Sequence, residues 1–97
     1  MSKNRFSART DDNEKHIVKA LRKLGYQVET GHDDILVAAN NRNYWYEIKQ
    51  KKHVSKKTGL INESAKKPSQ IRLEKEWKGH YKIVSSLDEV LKEIKII

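Results

Sequence analysis

A chain of 97 residues with 36% hydrophobic content has room for one domain and a modest core, of a size that buries roughly 60–65% of its unfolded surface. The absence of cysteine excludes disulfides and thiolate metal sites. No apolar run reaches the roughly 20 residues that a membrane-spanning helix needs, and residues 1–6 lack the apolar stretch of a secretory signal, so a cytoplasmic protein, host- or virus-encoded, is expected. Lys and Arg outnumber Asp and Glu by 21 to 13, a net charge of +8, which draws polyanions to the surface and makes nucleic acid the expected partner.

Residues 1–10 read as a flexible basic lead-in. Thr10, Asp11 and Asp12 offer helix caps, after which Ile17, Val18, Ala20, Leu21 and Leu24 recur at helical spacing until Gly25; a helix is expected over about 11–24. Residues 26–30 form a short strand, and residues 34–39, rich in branched apolar side chains, a buried one. Asn40 to Asn43 make a hairpin turn, and residues 44–50 return as a third strand. Residues 51–67 contain six lysines, a Thr58-Gly59 break and no apolar period, the pattern of a mobile basic loop. Pro68 and Ser69 open a second helix that runs to about Lys78 and is closed by Gly79. Residues 80–84 form a fourth strand. Ser86 and Glu89 have capping-box spacing and start a last helix carrying Leu87, Val90, Leu91 and Ile94. The order is helix, three strands, helix, strand, helix, in a single domain.

The chemistry concentrates on the hairpin from Asp34 to Lys49. Strand side chains alternate, so Glu47 and Lys49 share one face about 7 Å apart, while Tyr44, Tyr46 and Ile48 take the other. A tight turn brings Asp34 near Glu47 and gathers two carboxylates and an ammonium. Adjacent carboxylates repel unless a proton or cation intervenes, and oxygen-only ligands suit Mg²⁺, which binds one or two carboxylates, waters and substrate phosphate oxygens. Lys49 is placed to act on a water or on transition-state charge, and the Ile48 carbonyl lies between the two side chains as a further ligand. As a bare pattern, an acid followed a dozen residues later by Glu-x-Lys arises often by chance, and the strand–turn–strand context gives it weight. Glu14 shares the apolar face of the first helix; it either favours the helix dipole or acts as a third carboxylate above the sheet.

Glu14 on a helix, Asp34-Ile35-Leu36-Val37, Glu47-Ile48-Lys49 and Gln70 on a following helix together resemble the core of the PD-(D/E)XK nucleases, and within them the VRR-NUC type, over roughly residues 12–92. The resemblance implies a restriction-endonuclease-like α/β fold with an αβββαβ core and a mixed central sheet flanked by helices. It implies that Asp34, Glu47 and the Ile48 carbonyl bind Mg²⁺, with Mn²⁺ as a substitute, that Lys49 acts on the nucleophilic water, and that Glu14 and Gln70 complete the site. It also implies a structure-selective DNA endonuclease, acting as a homodimer on branched DNA such as four-way junctions. The sequence departs from the family at Asp33, which stands where a proline usually precedes the metal-binding aspartate; the apolar run directly after Asp34 marks Asp34 as the ligand.

Lys51, Lys52, Lys56, Lys57, Lys66 and Lys67 are expected to follow the phosphate backbone, with a solvated loop as the plainer alternative. His16, His32, His53 and His80 lack the spacing of a zinc site, although His32 lies close enough in sequence to Asp34 to approach a phosphate. Trp77 and Ile71 read as core or dimer contacts. The rival functions are a nicking, restriction-type or flap nuclease, a non-catalytic DNA-binding module of the same fold, and a lysine-rich accessory protein for acidic partners.

Overall fold

The computed structural model describes residues 12–31 and 34–95. Its elements follow the order α1 (Asp12–Lys23), β1 (Gln27–Thr30), β2 (Asp34–Ala39), β3 (Arg42–Ile48), α2 (Pro68–Glu76), β4 (Lys82–Val84) and α3 (Leu87–Ile94), with short 3-10 turns at Lys51–His53 and Glu63–Ala65. The molecule is thus a mixed α/β fold. The basic lead-in, the proposed caps Thr10 and Asp11, and His32 and Asp33 all lie outside the described residues.

The four strands form one sheet in the order β1-β2-β3-β4. The first three pair antiparallel, and β4 runs parallel to β3. A parallel neighbour requires a crossover, and here the crossover is the segment 51–67 together with α2. The hairpin is tighter than its composition suggested. Asn40 and Asn41 both adopt positive φ, 55° and 62°, forming a two-residue loop of the type that matches strand twist. The third strand therefore begins at Arg42 rather than Tyr44.

Alternation divides the sheet into two faces. The inner face carries Val28, Ile35, Val37, Tyr44, Tyr46, Ile48 and Val84, which pack with Ile17, Val18 and Leu21 of α1 and Val90 and Ile94 of α3 into the hydrophobic core. Helical spacing thus places both terminal helices on one side. Leu24 lies outside this core, 55% exposed, because α1 ends at Lys23 and the chain turns at Gly25 with φ +100°. The outer face carries Asp34, Leu36, Trp45 and Glu47, with Ile83 beside Glu47 in register. Here α2 rests against β4.

The last helix is capped as its sequence indicates. The Ser86 hydroxyl accepts from the Glu89 amide at 3.3 Å, while Glu89 Oε1 accepts from the Ser85 amide and the Ser86 hydroxyl. Pro68 opens α2, which ends at Glu76 with Trp77 as its C-cap, two residues earlier than expected. The segment 51–67 is more organised than a lysine-rich loop suggests. Val54 and Ile61 form an isolated β-bridge, and the Ser55 hydroxyl accepts from the amides of Lys57 and Thr58. Among the described residues, no helix is long and apolar enough to cross a membrane.

Candidate active site

The hairpin register places Asp34 directly opposite Glu47, on the outer face. Opposed residues of an antiparallel pair hold their Cβ atoms about 4.5–5.5 Å apart, where like charges destabilise the sheet. Each acid is given a donor. Trp45, two residues before Glu47 and on the same face, donates its indole N–H to Asp34 Oδ2 at 2.6 Å. Lys49, two residues after Glu47, places Nζ 3.8 Å from Glu47 Oε2, and both of these side chains are about one-tenth exposed. Period-two alternation therefore assembles indole, carboxylate and ammonium along one strand.

The backbone makes room for the pair. The Gly31 amide donates to the Asp34 carbonyl at 2.8 Å, and a Cβ on residue 31 would collide with the Asp34 carboxylate. On the other side, Lys49 is held by its amide, which donates to the Val84 carbonyl at 2.8 Å. Asn13 of α1 donates from Nδ2 to the carbonyls of both Lys49 and Ser85, each at 2.8 Å. This clamp ties the start of α1 to the ends of β3 and β4, and no sequence signal marked Asn13 for it.

Tyr81 completes the outer-face group. Its ring packs edge-on against Trp45 with centroids 4.8 Å apart, and its hydroxyl is the one buried side-chain polar atom among the described residues without a hydrogen-bond partner. Burial, then the negative charges of Glu47, Glu74 and Asp34, push the phenol well above its ordinary pKa. A buried hydroxyl without a partner costs about 1–3 kcal/mol. An unpartnered donor beside two opposed acids sets this face apart from a fully satisfied polar cluster. The donor set fits Mg²⁺, which retains waters and needs only one or two protein carboxylates.

The remaining expected residues are distributed more widely. Ile48 ends β3 between Glu47 and Lys49, with its side chain in the core. Glu14 is half-buried on the first turn of α1, and among the described residues no group of three or more His, Asp or Glu side chains is arranged to hold a metal, so Glu14 does not join the strand acids in a three-carboxylate cluster. Gln70 is buried on α2, where its Oε1 accepts from the Lys67 amide at 2.9 Å and so serves the helix N-terminus.

The lysines separate into two kinds. Lys51, Lys52 and Lys56 line a hollow of about 360 Å³ with Val54, Ser55 and Ser85, just beyond the end of β3. Lys57 and Lys67 are exposed. Lys66 instead folds inward, 2.8 Å from Glu63 and 3.1 Å from Glu74. Burial works against its charge, but the two carboxylates outweigh it and raise its pKa.

Trp77 is 52% exposed rather than a core residue, and meets Trp45 edge-to-face at 5.4 Å. Sequence reading also missed a second polar group, on the inner face. Glu93 Oε1 accepts from the Tyr46 hydroxyl at 2.6 Å and pairs with His80 Nε2 at 2.8 Å, while Lys82 lies 3.6 Å from Oε2. His80 Nδ1 accepts from the Trp45 amide at 3.1 Å, which fixes the neutral tautomer with the proton on Nε2. Comparison with known protein families, characterised proteins and solved structures finds no match to this chain.

Proposed function

We propose that this protein is a metal-dependent nuclease that hydrolyses DNA phosphodiesters at the outer-face site, with the restriction-endonuclease-like arrangement of the PD-(D/E)XK group and its VRR-NUC type. The observation that carries the reading is the direct opposition of Asp34 and Glu47 with Lys49 on the same face. Two facing acids destabilise a small domain, and a catalytic cation gives them a use that a purely structural role does not.

In this reading Asp34, Glu47 and the Ile48 carbonyl hold Mg²⁺ or Mn²⁺. The bound ion supplies charge for the phosphodiester and lowers the pKa of water. Lys49, held by its backbone and close to Glu47, orients the attacking water or meets the charge that develops on the phosphate. Trp45 fixes the rotamer of Asp34 through its indole N–H. Glu14 and Gln70 support the site from α1 and α2. The hollow of Lys51, Lys52 and Lys56 receives a phosphate downstream of β3, with Lys57 and Lys67 nearer solvent. A homodimer presenting two such sites suits branched DNA, whose strands can be cut in symmetric pairs.

The test is cleavage with Mg²⁺ of single-stranded, duplex, flap and four-way-junction DNA by the parent, Asp34→Asn and Glu47→Gln. Asn at position 34 keeps an acceptor for the Trp45 indole, so fold and chemistry separate. Parent cleavage that falls at least about a hundredfold in both variants, with EDTA abolishing it, supports the reading. Equal cleavage by Asp34→Asn and parent refutes the site, and no metal-dependent cleavage of any substrate refutes the activity.

A further inference from the structure

Beside Asp34 the outer face is open, with Leu36 opposite Glu29 across the β1–β2 pair. Leu36 is 41% exposed and Trp77 52%. A cavity of about 280 Å³ lies between Glu29, Thr30, Gly31, Asp34, Leu36 and Trp45; Trp77 is not one of its walls and adjoins it through Trp45. That equals the liquid volume of about nine waters, below the range of about 300–1,000 Å³ for drug-sized ligands and suited to one flat ring system. Trp45 is its aromatic wall, linking the cavity to Asp34 through its indole N–H and to Trp77 through the edge-to-face contact. Trp77 is held in place: a Cβ on residue 79 would lie 2.9 Å from its Nε1, so Gly79 lets the chain fold back against the indole. An exposed, oriented aromatic surface next to a polar centre is a binding feature rather than surplus core.

The occupant follows from charge and shape. The chain carries +8 overall, and Lys51, Lys52 and Lys56 line a hollow past the end of the same strand, so a polyanion is favoured over a second copy of this equally basic chain. Of the polyanions, nucleic acid also carries flat apolar rings. In a duplex those rings are stacked and paired, and only an unpaired nucleotide can present one sideways to a protein. We propose that the Trp45–Leu36 cavity and the Trp77 indole receive an unpaired nucleobase adjoining the phosphate at Asp34 and Glu47. The protein would then select nucleic acid with a single-stranded or unstacked nucleotide at the site, a selectivity that needs no sequence readout. This presupposes the nuclease reading for the position of the phosphate.

The chain has two tryptophans, Trp45 and Trp77, and both lie on this surface, so intrinsic fluorescence reports on it directly. The probes are single-stranded oligothymidylate and a blunt duplex of equal length, titrated with Ca²⁺ as the divalent ion and EDTA as control, against the parent, Trp77→Ala and Trp77→Tyr. The single strand should quench tryptophan emission and bind more tightly than the duplex. Trp77→Ala should lose about tenfold in single-strand affinity, within the range found for one stacked base, with a smaller change for the duplex, and Trp77→Tyr should restore most of it. Unchanged single-strand affinity in Trp77→Ala, or an equal loss on both probes, overturns the proposal. So does a Trp77→Ala variant that sediments as a monomer where the parent is a dimer while its single-strand affinity is unchanged, since a second copy then covers the surface. Cleavage by the parent with no Trp77 effect would sink the base site and spare the nuclease. A Trp77-dependent single-strand preference without cleavage of any DNA would sink the nuclease and spare the base site.

Discussion

The two faces of the sheet carry acids in opposite circumstances. On the inner face, Glu93 is surrounded by donors from Tyr46, His80 and Lys82, and His80 spends its remaining nitrogen on the Trp45 amide. On the outer face, Asp34 and Glu47 oppose one another, Glu47 has its lysine at a loose 3.8 Å, and the Tyr81 hydroxyl beside them lacks a partner. Both groups use a carboxylate, a tyrosine and a cation within the same small sheet. The inner set is complete within the fold and locks α3 onto β3 and β4. The outer set leaves the Tyr81 hydroxyl without a partner, and the proposed site rests on that contrast together with the opposition of the two acids.

Substitutions in matched positions test this contrast. The largest effect is expected at Lys49. Lys49→Ala should lower the cleavage rate by at least about a hundredfold while DNA affinity changes little; a loss confined to binding would class Lys49 with the phosphate-anchoring lysines. The hollow past β3 comes next. Changing Lys51, Lys52 and Lys56 together to Ala should flatten the slope of log affinity against log salt by about two to three, at roughly 0.9 per phosphate contact. Lys66→Ala should leave that slope unaltered and lower stability, because its partners are Glu63 and Glu74. Equal slopes in parent and triple variant would mean that the hollow faces only water.

The inner face should respond in stability alone. Tyr46→Phe removes a donor to a charged acceptor and should cost about 1–2 kcal/mol without altering the cleavage rate. Burial opposes the charge of Glu93, but the hydrogen bonds from Tyr46 and His80 and the nearby charge of Lys82 outweigh it, holding its carboxyl below the usual value of 4.5. A depressed folded pKa stabilises the native state above the unfolded value, and that contribution is lost as pH falls through the folded one. Glu93→Gln should therefore lower the melting temperature near neutral pH and flatten its decline below about pH 4.5; a parallel acid limb would show that Glu93 is not linked to folding. The smallest effect belongs to Tyr81→Phe. With EDTA, deleting an unpartnered hydroxyl should leave the melting temperature unchanged or raise it slightly. A clear drop with EDTA would mean that the hydroxyl already has a partner in the fold and that the two faces are more alike than described.

Sequence by itself determined the elements and which strand residues share a face. The apolar period of Ile17, Val18 and Leu21, the branched run after Asp34 and the spacing of Ser86 and Glu89 are local patterns with local causes, and each produced the expected element. Alternation alone put Glu47 and Lys49 on one face and Tyr44, Tyr46 and Ile48 on the other, because the period of a strand is fixed by its backbone. Boundaries shifted where a turn decided them, as at Asn40 and Asn41, whose two positive φ values started β3 early. Only the tertiary structure decided what lies across from what. The opposition of Asp34 and Glu47 depends on hairpin register, and the clamp of Asn13 spans 36 and 72 positions to its two carbonyls. The inward turn of Lys66, the closed group around Glu93 and the exposure of Trp77 depend likewise on elements distant in the chain. A pattern records which face a residue takes, but partners across a sheet are chosen by packing, and packing is a property of the whole fold.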